Sequence, residues 1–99
     1  DNWGDPYILL GKIYATGARN IGNEDWEKKA GYWAAVDKFV KAKNVDSSER
    51  IQKDAAQLIS QYSQYFPTRE DLFMHGVQDG SSYTVGGFIG ESTTVRSKK

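Results

Sequence analysis

The spacing of apolar residues changes once along this chain, at Gly76, and that change limits the fold more than any other feature. Before it, apolar residues recur at intervals of three and four, the pattern of helices with a buried face. After it, glycine, serine, threonine, tyrosine and valine dominate, the vocabulary of strands and turns. The expected fold is mainly α with a small β part: a helical hairpin, a third helix, a short helical turn and a C-terminal β-hairpin. One domain over residues 1–99 is expected, divided at 1–46, 47–75 and 76–99.

The helix boundaries follow from local chemistry. Asp5 is the expected N-cap of the first helix and Pro6 its first residue, where a missing amide costs nothing. Tyr7, Leu10, Gly11, Tyr14, Ala15 and Ala18 then form one face, and Gly17 is a stop. Ile8, Leu9 and Ile13 fall on other faces, so this helix is expected to be contacted on more than one side. After a loop over Ala18 to Asn23, Asn23 is the expected cap of a second helix, and Glu24, Asp25 and Glu27 favour its positive start. Its stripe is Tyr32, Ala35, Val36, Phe39 and Val40, with Lys38, Lys41 and Lys43 toward its negative end. Ser47 or Ser48 is the expected cap of a third helix with the stripe Ile51, Ala55, Leu58, Ile59, Tyr62 and Phe66. Pro67 excludes the α region for the residue before it. Thr68 is then expected to cap a short turn in which Leu72 and Phe73 face inward. Beyond Gly76, Ser82 to Val85 and Thr93 to Arg96 are the strand candidates, joined by a turn that contains Phe88.

Composition removes several function classes. Thirteen basic and thirteen acidic side chains leave no net charge, whereas a nucleic-acid binder needs a basic surplus to release counterions. The chain has no cysteine, so neither a disulfide framework nor a thiolate site is available. No apolar run approaches the roughly 20 residues of a membrane span. A start at Asp1 without methionine is expected of a piece cut from a longer protein. Thirteen aromatics in 99 residues can fill a core with few side chains.

The first two helices resemble a tetratricopeptide repeat. Tyr7, Leu10, Gly11 and Tyr14 follow the spacing W-x2-L-G-x2-Y with tyrosine for tryptophan, and Ala35 and Phe39 supply A-x3-F. The 21-residue step from Tyr14 to Ala35 is about a dozen longer than a repeat of about 34 residues allows, and Ser47 stands where proline is usual. This makes residues 1–46 an atypical helix pair with an insertion. The whole chain is similar to the C-terminal region of tetratricopeptide-repeat proteins of Bacteroides-type bacteria. That similarity rests on Glu27–Ala30, on Tyr32–Phe39, on Tyr62–Thr68 and on Tyr83–Arg96. It implies a helical array upstream and a cell-envelope location, but no reaction and no ligand.

No catalytic constellation emerges, and neither an enzyme nor a cofactor is expected. His75 is the only histidine, which excludes a multi-histidine metal site, and no nucleophile elbow supports a triad with Ser81 or Ser92 and Asp79. Gly86-Gly87-x-x-Gly90 lacks the lysine of a phosphate loop, and a strand is expected after it in place of a helix. Glu24, Asp25 and Glu27 lack the central glycine of a calcium loop. What is left is aromatic. Trp3 and Trp26 lie outside the main stripes and Phe88 sits at the hairpin tip, so these three and Tyr7 are the candidate partner-binding residues. A concave face in such repeats binds peptides, and Asn2, Lys12 and Arg19 are expected polar contacts around Tyr7 and Tyr14. The expected role is a protein-interaction or scaffolding module that caps a helical array. The alternative is a carbohydrate or small-ligand module built on Trp3, Trp26 and Phe88.

Overall fold

The apolar spacing is realised as helices followed by a hairpin. The computed structural model describes residues 3–18, 25–85 and 89–97, without the side chains of 25–28. Among these are α1 (Gly4–Gly17), α2 (Asp25–Val45), α3 (Glu49–Ser63), α4 (Arg69–Met74), β1 (Ser82–Thr84) and β2 (Ser92–Thr94). The fold is mainly α with one small antiparallel sheet.

Helix α2 is the centre of the molecule. Ala30, Trp33, Ala34, Ala35, Val36, Phe39 and Ala42 are all buried. These positions run round most of a helix with 3.6 residues per turn, so the single expected stripe is exceeded. Helix α1 covers one side, α3 a second and β2 a third. Val40, expected in the stripe, is exposed, because it projects between the coverage of α3 and that of the hairpin.

Close approach of α1 to α2 depends on Gly11. A Cβ there would lie 2.5 Å from Cε1 of Phe39 and 2.8 Å from Cδ1, far inside ordinary carbon contact. Phe39 in turn stacks on Tyr62 of α3 with centroids 5.8 Å apart, and Tyr62 stacks on Tyr32 at 5.8 Å.

The start of α1 differs from expectation. The helix begins at Gly4, one residue ahead of Asp5, and no side chain at its N-cap Trp3 caps it. Fully buried Asp46 does so from the α2–α3 connection, accepting from the Gly4 amide (3.1 Å) and, at its other oxygen, from the Ser48 amide (3.0 Å). One carboxylate thereby satisfies orphan donors at the starts of two helices. The Ser48 amide is the main reason this carboxyl lies below its ordinary value. Ser48 is the N-cap of α3, but its side chain does not bond to that helix.

Helix α4 is short and capped at both ends. Thr68 and Asp71 form a reciprocal capping box, Oγ1 accepting from the Asp71 amide (3.1 Å) and Asp71 from the Thr68 amide (3.3 Å). At the other end the Val77 amide bonds to the Leu72 carbonyl (2.9 Å) and the Gly76 amide to the Phe73 carbonyl (3.1 Å), with Gly76 at φ +68°. This is the left-handed glycine closure of a helix. Leu72 is buried as expected, whereas Phe73 is 85% exposed. Consecutive helical residues lie about 100° apart, so a short helix resting on Leu72 turns Phe73 and Met74 to solvent.

In the hairpin Ser82 pairs with Thr94, Tyr83 with Thr93 and Thr84 with Ser92. Both strands are shorter than expected, and the second begins a residue early. Val85 and Val95 still bond across, Val85 to Glu91 (2.9 Å) and Val95 to Ser81 (2.8 Å), but Arg96 leaves the ladder to meet α2.

Candidate functional site

The polar groups that first look chemical bind the hairpin to the helices. Neighbouring Asp37 and Lys38 on α2 meet opposite charges from the hairpin. Arg96 Nη2 donates to Asp37 Oδ1 (2.8 Å), and Lys38 Nζ lies 2.8 Å from Glu91 Oε1. Thr93 donates to the other Asp37 oxygen, and the Tyr14 hydroxyl donates to the other Glu91 oxygen. Trp33 Nε1 donates to the Arg96 carbonyl (2.8 Å), and Arg96 Nη2 to the Trp33 carbonyl (3.0 Å). Burial, then the bond to Glu91 and its charge, pushes the Tyr14 hydroxyl up to about 12. Burial opposes the charge on Glu91, but the bonds from Lys38 and Tyr14 outweigh it and hold that carboxyl below its ordinary value. Each group thus stays in the protonation state that makes the contact strongest at neutral pH.

This settles the place of Tyr14. It was expected beside a partner-binding face, yet it is buried and its hydroxyl is committed to Glu91. Tyr7 is half-buried, and Trp3 is 65% exposed. These two border a shallow apolar pocket of about 490 Å³ with Pro6 and Val45. Trp26 lies in the first turn of α2, but its side chain is outside the described residues, as is the whole of Phe88. Asn2 and Arg19 lie outside them too. Of the four candidate residues, Trp3 and Tyr7 are brought together.

Three strips run along α1. Gly4, Ile8, Gly11 and Ala15 are buried. Asp5, Lys12 and Thr16 form a polar strip, of which the first two face α3: Asp5 pairs with Arg50 (2.9 Å), and Lys12 lines a cleft with Asp54, Gln57 and Gln61. Trp3, Pro6, Leu9 and Ile13 form the third strip, which is exposed and apolar, with Leu9 at 62% and Ile13 at 48%. The expected second apolar contact of α1 is therefore open within this chain. The outer side of α3 has the opposite character. Glu49, Lys53 and Gln64 are exposed there, with Lys53 paired to Glu49 at 3.3 Å.

A larger groove of about 710 Å³ lies between α2, α3 and the hairpin. Val36, Val40, Ile59 and Phe66 form its apolar part, with Arg69, Asp79 and Arg96 among its polar residues. The Arg96 guanidinium sits 5.4 Å from the centroid of the Phe66 ring. Sequence reasoning missed this groove because its residues come from separate segments with no shared spacing.

Among the described residues no three potential ligands converge as a metal site, and no helix is long and apolar enough to cross a membrane. Compared with known protein families, curated proteins and solved structures, the chain matches none.

Proposed function

We propose that this chain is a non-catalytic protein-interaction module that closes one end of a stack of tetratricopeptide-type helices. The observation behind this reading is the difference between its two ends. An inner repeat offers apolar surface on both sides, whereas a terminal one carries a polar outer face that keeps the array soluble. Here α3 presents charged and amide side chains outward, while α1 presents Trp3, Pro6, Leu9 and Ile13. A helix docked along that strip extends the stack on the α1 side, and α3 ends it on the other. The packing of Gly11 against Phe39 is the close helix approach that the resemblance calls for, and it supports the same reading.

Fusion tests it. Placed directly behind three consensus tetratricopeptide repeats, the chain is expected to unfold with them in one transition, at a higher urea midpoint than either part alone. Leu9→Glu with Ile13→Glu should split that transition in two. Independent unfolding of the two parts in the unaltered fusion would refute the capping reading. The carbohydrate alternative requires Trp3, Trp26 and Phe88 on one platform, and no observation favours it.

A further inference from the structure

The groove between α2, α3 and the hairpin has a binding chemistry of its own, independent of the stacking face on α1. We infer that it takes an apolar peptide segment bearing a carboxylate side chain, with Arg69 as the group that recognises the charge.

Size and lining come first. A volume of about 710 Å³ lies within the range of sites that enclose ligands, about 300–1,000 Å³. Val40 is an exposed apolar side chain within it. Ser60 and Ser63 on α3 and Ser97 beyond β2 add hydroxyls to the apolar lining.

Charge then selects the occupant. Three charged side chains line the groove: Arg69, Arg96 and Asp79. Arg96 is held by Asp37, and Asp79 accepts a hydrogen bond from Ser97 (3.1 Å). Arg69 makes no ion pair or hydrogen bond among the described residues. It is also the first residue of α4, where the helix dipole disfavours a cation. No described group engages its guanidinium, whereas an incoming carboxylate gains a planar donor that can engage both its oxygens. Two fixed neighbours, the Arg96 guanidinium and the Phe66 ring beneath it, make the adjoining wall rigid, so little ordering cost falls on binding.

A blocked, fluorescein-labelled hexapeptide of alternating leucine and glutamate is the probe, beside the same peptide with glutamine for glutamate. In an amide chemical-shift titration, the glutamate peptide should move Val36, Val40, Ile59, Ser60 and Arg69. It should bind about 10-fold or more tightly than the glutamine peptide, the scale of one charge-assisted hydrogen bond. Arg69→Glu should erase that preference and Arg69→Lys should keep part of it, both in chains with unchanged circular dichroism. Leu9→Glu with Ile13→Glu should leave peptide binding intact, which separates this site from the stacking face. No shifts, shifts confined to α1, or equal binding of both peptides would each overturn the assignment.

Discussion

Gly11→Ala sets two effects against each other, and the structure decides between them. Replacing a helical glycine with alanine favours the helix by about 1 kcal/mol. Against that, the new methyl would sit 2.5, 2.8 and 2.9 Å from Cε1, Cδ1 and Cζ of Phe39, where carbon atoms rest at about 3.5–4.0 Å. Phe39 is fully buried and stacked on Tyr62, so its ring cannot swing away without disturbing α3. Overpacking of this kind costs about 1–3 kcal/mol, and contact with three ring carbons puts it at or beyond the upper end. The net loss should be on the order of 2 kcal/mol, a fall in Tm of roughly 8–16 °C for a domain of this size. Urea unfolding followed by circular dichroism measures it. Phe39→Leu supplies the control: it removes ring atoms and destabilises alone, yet the double variant should be less damaged than the sum by about 0.5–3 kcal/mol. A Gly11→Ala chain as stable as the parent, or strict additivity with Phe39→Leu, would refute the reasoning.

Helix α4 offers a sharper contrast within three residues: Leu72→Ala should cost about 2–5 kcal/mol, while Phe73→Ser and Met74→Ser should change stability by less than about 0.5 kcal/mol in the same urea titration. The clasp predicts pH dependence at both extremes. Glu91 is depressed on folding, so its contribution is complete above its ordinary value near 4.5 and is lost as pH falls through the lower folded value; Glu91→Gln should flatten that limb of a Tm-against-pH curve. Tyr14 is raised, so its contribution is complete below its ordinary value of 10.0 and is lost as pH climbs to about 12; Tyr14→Phe should remove that alkaline loss, roughly 1–2 kcal/mol after solvent screening. Asp46→Ala should lower Tm further than removal of an exposed carboxylate such as Glu49, and Asp46→Asn should recover only part of the loss, because its single amide oxygen can accept from one of the Gly4 and Ser48 amides while its NH2 faces the other.

Local chemistry was legible wherever a residue acts on its own neighbourhood. Thr68 caps α4, and the switch of residue types at Gly76 does mark the passage from helix to hairpin, whereas α3 ends at Ser63, short of the Phe66 that its expected stripe included. Longer-range placement was not legible. Asp5 has the right identity for a cap, but the cap comes from Asp46, 42 residues away from Gly4 in sequence. Phe73 has the composition of a core residue, and only the rotation of α4 about Leu72 puts it outside. The second apolar strip on α1 did show in the spacing of Leu9 and Ile13, since a helix with apolar residues on opposite sides implies two contacts, whereas Ile8, expected off the main face with them, is buried in the core. The groove left no such trace: Val40, Ile59, Arg69 and Arg96 converge through tertiary packing alone.

The hairpin explains why the remaining open apolar surface has meaning. Without it, Trp33 on α2 would face water, because α1 and α3 cover other sides of that helix. Trp33 instead packs edge-on against Tyr83 at 5.8 Å and donates to the Arg96 carbonyl, while Val85 and Val95 are fully buried with it. Strands of three residues have marginal stability alone; here the bonds of Asp37 and Lys38 to Arg96 and Glu91 attach them, so helices and hairpin should unfold as one unit. Large apolar side chains do stay exposed elsewhere, on α1, at Val40 and Tyr65 and on α4 at Phe73 and Met74, each against the free energy of burial, about 25 cal/mol per Å². Leu9 and Ile13 stand in one exposed line, and Arg69 lacks a partner among the described residues at the edge of an apolar groove. The two placements lie on different elements, one on α1 and one at α4. The helix proposed along α1 and the acidic peptide proposed in the groove would therefore use separate surfaces, and variants of one should leave the other unchanged.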